Sequence, residues 1–238
     1  MPVLSIRGLR KSFTLHTIDG RTVSSLHGVD LDVHEGEHVA LAGPSGAGKS
    51  SLLRCVHRTY LPDSGSVRLG DLELTELPDR AMARLRGREF GYVSQFLSAP
   101  PRTGPMEVVA AAARRRGLDA IEAREAAAES LRRLNLDEAL WDVDCSVLSG
   151  GERQRVNLAA GTVRPPRLLL LDEPVSALDP ANREAALDLV QALTGQGVAV
   201  LAVFHDLDAM RRLATRVVLM RDGLIAEQGS PAELLEAA

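Results

Sequence analysis

Apolar and polar positions alternate along Val3–Phe13 and again along Thr22–Val33, a period of two that predicts two strands. Asp19-Gly20 lies between them and is a strong hairpin turn signal. Glu35-Gly36 then turns the chain into His38–Ala42, a short apolar strand. Ser50–Tyr60 follows with helical spacing and is expected to stop at Pro62. Short strands are predicted at Val67–Leu69 and Phe90–Val93. From about Pro100 to Thr162 the pattern changes to alanine, arginine and glutamate at helical spacing, which reads as an inserted helical subdomain closed by Pro165-Pro166. Inside it, Arg114-Arg115-Arg116 reads as a solvated helix face. Leu168–Leu171 and Val198–Val203 are unbroken apolar runs, the pattern of strands buried on both faces of a parallel sheet. Between them Asp179-Pro180 supplies a cap and a first-turn proline for a helix ending near Gly195. Val217–Arg221 and Leu224–Glu227, joined by Asp222-Gly223, predict a final edge hairpin. The whole pattern is that of an α/β fold.

Composition narrows the partners. At 238 residues the chain suffices for one large domain or two small ones, each with a buried core. A net charge of −4 leaves no basic field to draw the chain to nucleic acid or anionic lipid, and with 3% aromatic residues no base-stacking platform is expected. Cys55 and Cys145 form no C-x-x-C pair and no cluster with histidine, so reduced thiols in a cytoplasmic protein are expected. The N-terminus lacks a signal-peptide pattern, and no apolar run reaches the ~20 residues that span a bilayer. Any membrane part of the function is therefore expected from another chain, with no direct membrane insertion by this one.

The chemistry is concentrated in glycine motifs and strand ends. Gly43, Pro44, Ser45, Gly46, Ala47, Gly48, Lys49 and Ser50 fit G-x-x-x-x-G-K-[ST], with Ser51 directly after. Such a loop turns backbone N–H groups inward around phosphates, and the helix behind it presents its positive end to them. Lys49 would sit between the β- and γ-phosphates, and the Ser50 hydroxyl would ligate Mg²⁺. Among 28 basic residues only Lys11 and Lys49 are lysines, so the lysine in this loop reflects chemistry rather than composition. A second motif, Leu148-Ser149-Gly150-Gly151-Glu152-Arg153-Gln154, has no use for the nucleotide that the first already holds. It points to a site shared between two chains. Asp172 and Glu173 end the run Leu168–Leu171, at the strand edge where open α/β sheets bind ligands. Asp172 fits a role at Mg²⁺, as ligand or behind the ligands, and Glu173 fits the base that polarises attacking water. His205 follows Val198–Val203 and is placed for γ-phosphate contact; the other five histidines are assigned no role. Gln95 follows Phe90–Val93, and its spacing alone leaves its role open. Phe13 is suited equally to stacking on adenine and to core packing.

With these motifs in order, the chain resembles the nucleotide-binding domain of ATP-binding cassette (ABC) ATPases over essentially its full length. Gly43–Ser50 matches the first Walker motif and Leu168–Glu173 the second. Gln95 matches the Q-loop, Leu148–Gln154 the signature, Ser176–Asp179 the D-loop and His205 the switch histidine. The resemblance implies a mixed RecA-like core with an N-terminal antiparallel β-subdomain (1–99 and 163–238) and a helical signature subdomain (100–162). It implies ATP and Mg²⁺ as cofactors, with Gln95 also at the metal. Two ATP molecules would be sandwiched in a head-to-tail dimer with an identical or homologous subunit. There Ser149, Gly150 and Gly151, flanked by Glu152, would cap the γ-phosphate bound to Lys49 of the other subunit, and Asp179 would lie at the same interface. Several strings look like the ATP-binding subunit of phosphonate carbon–phosphorus lyase systems: Phe13-Thr14-Leu15-His16, Tyr60–Gly65, Gly91–Leu97, Leu134–Leu136 with Leu140-Trp141, and Phe204-His205-Asp206. They imply coupling to that soluble enzyme core. The alternative is a transporter motor, like exporters of lipoproteins or macrolides, coupled to membrane-spanning subunits through the Gln95–Val109 surface and lying at the inner face of the membrane.

Overall fold

A computed structural model describes residues 1–15 and 21–235. The described elements run β1 (Leu4–Leu15), β2 (Arg21–Val33), β3 (His38–Ala42), α1 (Lys49–Val56), β4 (Ser64–Leu69), β5 (Leu72–Glu73), α2 (Asp79–Glu89) and β6 (Phe90–Val93). They continue α3 (Pro105–Arg115), α4 (Ala120–Arg133), α5 (Gly150–Thr162), β7 (Leu168–Asp172), α6 (Pro180–Gly195), β8 (Ala199–Val203), α7 (Leu207–Leu213), β9 (Arg216–Arg221), β10 (Leu224–Gly229) and α8 (Pro231–Leu235). The chain divides into two compact units, Met1–Met82 with Ala199–Ala238, and Ala83–Val198.

The first unit holds two sheets. One is antiparallel, in the order β2-β1-β4-β5. The alternation read from the sequence holds across Leu4 and Ile6, then shifts at a bulge between Ile6 and Leu9, after which Leu9 is buried and Arg10 exposed. The predicted Asp19-Gly20 turn lies outside the described residues. The other sheet is mixed: β3 runs parallel to both β8 and β9, and β10 closes the edge antiparallel to β9. Every residue of β3 and β8 is buried, as expected of strands covered on both faces. His38 opens β3 deep in this interior, its ring 5.8 Å from that of Phe204, and burial pulls its pKa down to about 3. Arg216 ties the two sheets together. Its guanidinium donates to Glu37 at 2.7 Å, to Gln228 at 2.6 Å and to the Asp32 carbonyl at 2.6 Å.

The second unit pairs β6 and β7 in parallel and sets α3, α4 and α5 on one another. Leu168–Leu171 are completely buried. Asp179 caps α6 through the Asn182 N–H at 3.1 Å, with Pro180 at the first helical position, as the sequence predicts. Helix α5 includes Gly150 and Gly151 in its first turn, despite the low helix propensity of glycine. Ser149 and Glu152 form a capping box, which satisfies the first-turn N–H groups and outweighs the cost of two leading glycines.

Two expectations need correction, and three helices are added to those expected. Helix α1 ends at Val56, not at Tyr60. Arg58 adopts φ 56°, and the Thr59 and Tyr60 N–H groups both donate back to the Arg54 carbonyl, so the turn closes well before Pro62. The sequence reading gives no helix at α2, α7 or α8; α2 buries only Met82, and α7 and α8 span seven and five residues, too short for a periodic pattern to stand out. Arg116 is not part of a solvated face. It lies just past α3, and its guanidinium donates to the carbonyls of Phe90, Ala160 and Gly161 at 2.9–3.0 Å. Two of these carbonyls belong to the last turn of α5, where helix oxygens lack internal partners. Burial draws the Arg116 pKa down to about 10.

Arg116→Met retains the aliphatic stem and strands these carbonyls. We expect a loss of roughly 2–4 kcal/mol in unfolding free energy, read from urea midpoints. A change below about 0.5 kcal/mol, the range of an ordinary surface substitution, contradicts the role.

Candidate functional site

The first unit carries the phosphate loop. β3 delivers the chain to Gly43, and α1 begins at Lys49. Gly43 (φ 133°) and Gly48 (φ 98°) both hold backbone conformations that side chains resist. A β-carbon on Gly43 would lie 2.1 Å from the Met220 carbonyl oxygen, and one on Gly48 2.5 Å from that of Ser25. The loop is therefore pressed against β9 and β2, with Gly48 as the cap residue of α1. Lys49 is 6% exposed, and its ammonium donates to the Gly43 and Pro44 carbonyls at 2.7 and 2.9 Å. A buried cation is thus aimed over the loop that would cradle phosphates. Pro44, Ser45 and Gly46 are exposed, Ala47 is buried, and Ser50 is half-buried in the first turn of α1. The Ser51 hydroxyl meets that of Ser25 at 2.8 Å, an anchoring contact to β2.

His205 joins the loop at one sheet edge. In the parallel register Leu41 pairs with Val203, so Gly43 and His205 each stand two residues past a matched pair. His205 is exposed, and Asp206 behind it caps α7 through the N–H groups of Asp208 and Ala209. Phe13 packs edge-on against Tyr60, ring centroids 5.1 Å apart, with the Lys11 ammonium 5.4 Å from its own ring centre.

The second unit repeats the device. Val93 pairs with Leu171, so Gln95 and Glu173 likewise leave one edge two residues past a matched pair. Asp172 is 3% exposed at the end of β7. Glu173 is half-buried and adopts φ 55°, a strained conformation for a non-glycine residue at a strand end. Ser149 and Gly150 are exposed at the start of α5, and a β-carbon on Gly150 would meet only open space. Gly151 faces the Ala177 carbonyl. Glu152 turns back to accept the Ser149 N–H at 2.7 Å, which holds its carboxyl below the usual range. Asp179 is bonded by the side chain and N–H of Asn182, which lowers its pKa too. Arg155 of α5 donates to the same Asn182 side chain at 3.1 Å, which links the signature helix to the Asp179 turn.

Asn157 escaped the sequence reading, and the anchoring role of the motif residue Gln154 did too. Gln154 and Asn157, on α5, are both buried. Their amides donate to the Pro174 carbonyl at 2.9 Å and the Ser94 carbonyl at 2.7 Å. For Asn157, only its amide character inside the otherwise apolar stretch Val156 to Ala159 could have signalled this.

Comparison with known proteins follows the same lines. The ABC transporter family profile matches residues 26–176. A lipoprotein-releasing system ATP-binding protein LolD 2 of Caulobacter vibrioides is 40% identical, covering 93% of this chain and 96% of its own. A phosphonates import ATP-binding protein PhnC of Bdellovibrio bacteriovorus is 33% identical, with 99% and 91% covered. Among solved structures, the dimeric ATP-binding cassette MJ0796 in a post-hydrolysis state bound to ADP and Pi superposes with a TM-score of 0.88 at 27% identity, covering 96% of this chain and 98% of that one.

The loop geometry separates two glycines. Gly46 (φ 80°) has open space around its missing β-carbon, whereas Gly48 has the Ser25 carbonyl against it. Gly46→Ala is expected to cost about 1–2 kcal/mol from backbone strain alone. Gly48→Ala should cost about 1–3 kcal/mol beyond that, from overpacking. Urea unfolding of the two variants checks the order; equal losses contradict the packing of the loop against β2.

Proposed function

The chain belongs to the ABC transporter family, and on that premise we propose that it is the ATP-binding motor subunit of a membrane transporter. As an ABC ATPase it takes ATP with Mg²⁺ and hydrolyses the nucleotide. In our reading Gly43–Ser50 and Ser51 hold the phosphates, with Lys49 as the fixed cation and Ser50, Asp172 and Gln95 around Mg²⁺. Glu173 polarises the attacking water and His205 meets the γ-phosphate. Ser149, Gly150 and Gly151, at the positive end of a capped helix, complete the site of a second subunit, and Asp179 lies at that junction. The exposure of Ser149 and Gly150 supports this: a helix start built to satisfy itself through Glu152 still leaves its glycine face open. Phe13 is engaged with Tyr60, and an adenine would lean on that pair rather than on a lone ring.

The observation that carries the transporter reading is a groove of about 350 Å³ lined by Leu97, Ala99, Pro100 and Pro101 on one side and by Asp144, Cys145, Ser146 and Arg153 on the other. It begins two residues after Gln95, in the same loop. Phe96, 76% exposed, and Val147, 71% exposed, adjoin the lining residues in sequence. Exposed apolar side chains of this size mark a docking surface. We assign it to a cytoplasmic helical segment of a membrane-spanning partner, a reading supported by relatives that are ATP-binding proteins of lipoprotein-releasing and import systems. A partner seated there acts directly on the loop that carries Gln95.

Coupling to a soluble carbon–phosphorus lyase core is the second reading, favoured by the local strings. The structure shows what several of those strings do. Phe13 packs on Tyr60, Phe204 on His38, and Trp141 is buried with its indole N–H donating to the Leu136 carbonyl. Packing within the chain of this kind does not select a partner, so the groove outranks the strings.

Native purification of the tagged chain in mild detergent should recover membrane-spanning partners. Recovery of a soluble phosphonate-degrading complex without them reverses the ranking. For the chemistry, Glu173→Gln should bind ATP normally, lower turnover by ~10²–10⁴ and accumulate as an ATP-bound dimer on size exclusion. Wild-type turnover by that variant removes Glu173 from the role of base.

A further inference from the structure

One face of α5 holds both loops that carry the chemistry of the second unit. Gln154 and Asn157 stand three positions apart, neighbours on a helix surface. They are 4% and 6% exposed. Asn157 donates to the carbonyl of Ser94, the residue between β6 and Gln95, at 2.7 Å. Gln154 donates to the carbonyl of Pro174, the residue after Glu173, at 2.9 Å. Both acceptors are backbone oxygens just outside the strands, where the ladder no longer fixes the chain. The Ser94 hydroxyl donates onward to the Phe96 carbonyl at 2.6 Å, so the carbonyls of the residues before and after Gln95 are both hydrogen-bonded. A buried amide is costly unless it is paired, and once paired it defines one geometry.

We propose that Asn157 is a positioning residue for Gln95: its amide holds the Ser94 carbonyl, and so sets where the Gln95 side chain leaves the β6 edge beside Glu173. Through Gln154 the same helix anchors the backbone after Glu173. The helix that starts with Ser149, the part of the chain offered to a second subunit, is thereby bonded to both loops of its own site. Arg153, one turn before Asn157 on α5, lines the groove beside Leu97 and Pro100. A partner in that groove and a nucleotide at Ser149 would both act on this one helix.

The inference rests on the reading of Gln95 as a Mg²⁺ contact, and the test separates the two. Steady-state ATP hydrolysis of the full chain is titrated with Mg²⁺ for wild type, Gln95→Ala, Asn157→Leu, Asn157→Ala and the Gln95→Ala/Asn157→Leu double variant. Asn157→Leu keeps the branched side-chain shape and removes the donor, while Asn157→Ala removes both, so their melting temperatures separate packing from bonding. Gln95→Ala and each Asn157 variant should raise the half-saturating Mg²⁺ concentration by roughly 10-fold, the usual cost of losing a group that orients a metal ligand, with ATP affinity measured without Mg²⁺ unchanged. The double variant should add nothing to Gln95→Ala, because Asn157 acts through Gln95. If Gln95→Ala shifts the Mg²⁺ dependence and the Asn157 variants do not, or if the effects add, the positioning role falls and the reading of Gln95 stands. If Gln95→Ala itself causes no shift, both fall.

Discussion

Parallel pairing in register is the constraint on which the candidate site depends. β3 against β8, and β6 against β7, bring two chain segments to the same edge with the same number of residues past the last pair. That places Gly43 beside the exit of His205, and Gln95 beside the exit of Glu173. The register is held by buried aliphatic rows with no polar residue until the edge, such as Leu168–Leu171 ending in Asp172. A one-residue slip would turn these side chains to the opposite face, which the covered sheet does not tolerate.

Beyond the strand ends a different kind of bond takes over. The phosphate loop is held by close backbone approach, with Gly43 against Met220 and Gly48 against Ser25, and by the Lys49 ammonium drawn onto its own carbonyls. The loops after β6 and β7 are held instead by side-chain amides and guanidinium groups of α5 and its neighbours. Asn157 reaches Ser94, Gln154 reaches Pro174, and Arg155 reaches Asn182 beside the Asp179 cap. Arg116 fastens the far end of the same helix to the start of β6. A helix bonded at both ends and along one face ties its exposed first turn to the loops after β6 and β7. That connection is the physical basis of the coupling proposed above.

The elements legible in the sequence are those whose signal is local. Alternation announced β1, unbroken aliphatic runs announced β7 and β8, and Asp179-Pro180 announced the start of α6. The early end of α1 was not legible, because its closing turn uses Arg58 at positive φ, with no glycine or proline at that position to mark it. Helix α2 was missed because it lies almost wholly on the surface. In the candidate site, the glycines of both motifs could be read by spacing, yet the reason Gly43 must lack a side chain is a carbonyl at Met220, far along the chain. The anchoring amides of Gln154 and Asn157 were invisible for the same reason. Their partners are backbone oxygens, which carry no signature in the sequence. Arg116 sat in a run of three arginines and looked like its neighbours; only its contacts separate it from Arg114, which pairs with Glu107 at the surface.

The central claim is that each working site takes its phosphate loop from one subunit and its signature turn from another. Complementation between two inactive variants measures this most directly. Lys49→Ala removes the loop cation and Ser149→Arg blocks the signature turn, so each variant alone should be without ATPase activity. Mixed, they form dimers in which one site pairs an intact Lys49 from one chain with an intact Ser149 from the other. The account predicts that the mixture hydrolyses ATP, with activity that rises as the ratio approaches equal parts. A mixture as inactive as its components, or a Ser149→Arg variant that hydrolyses ATP unaided, would contradict it.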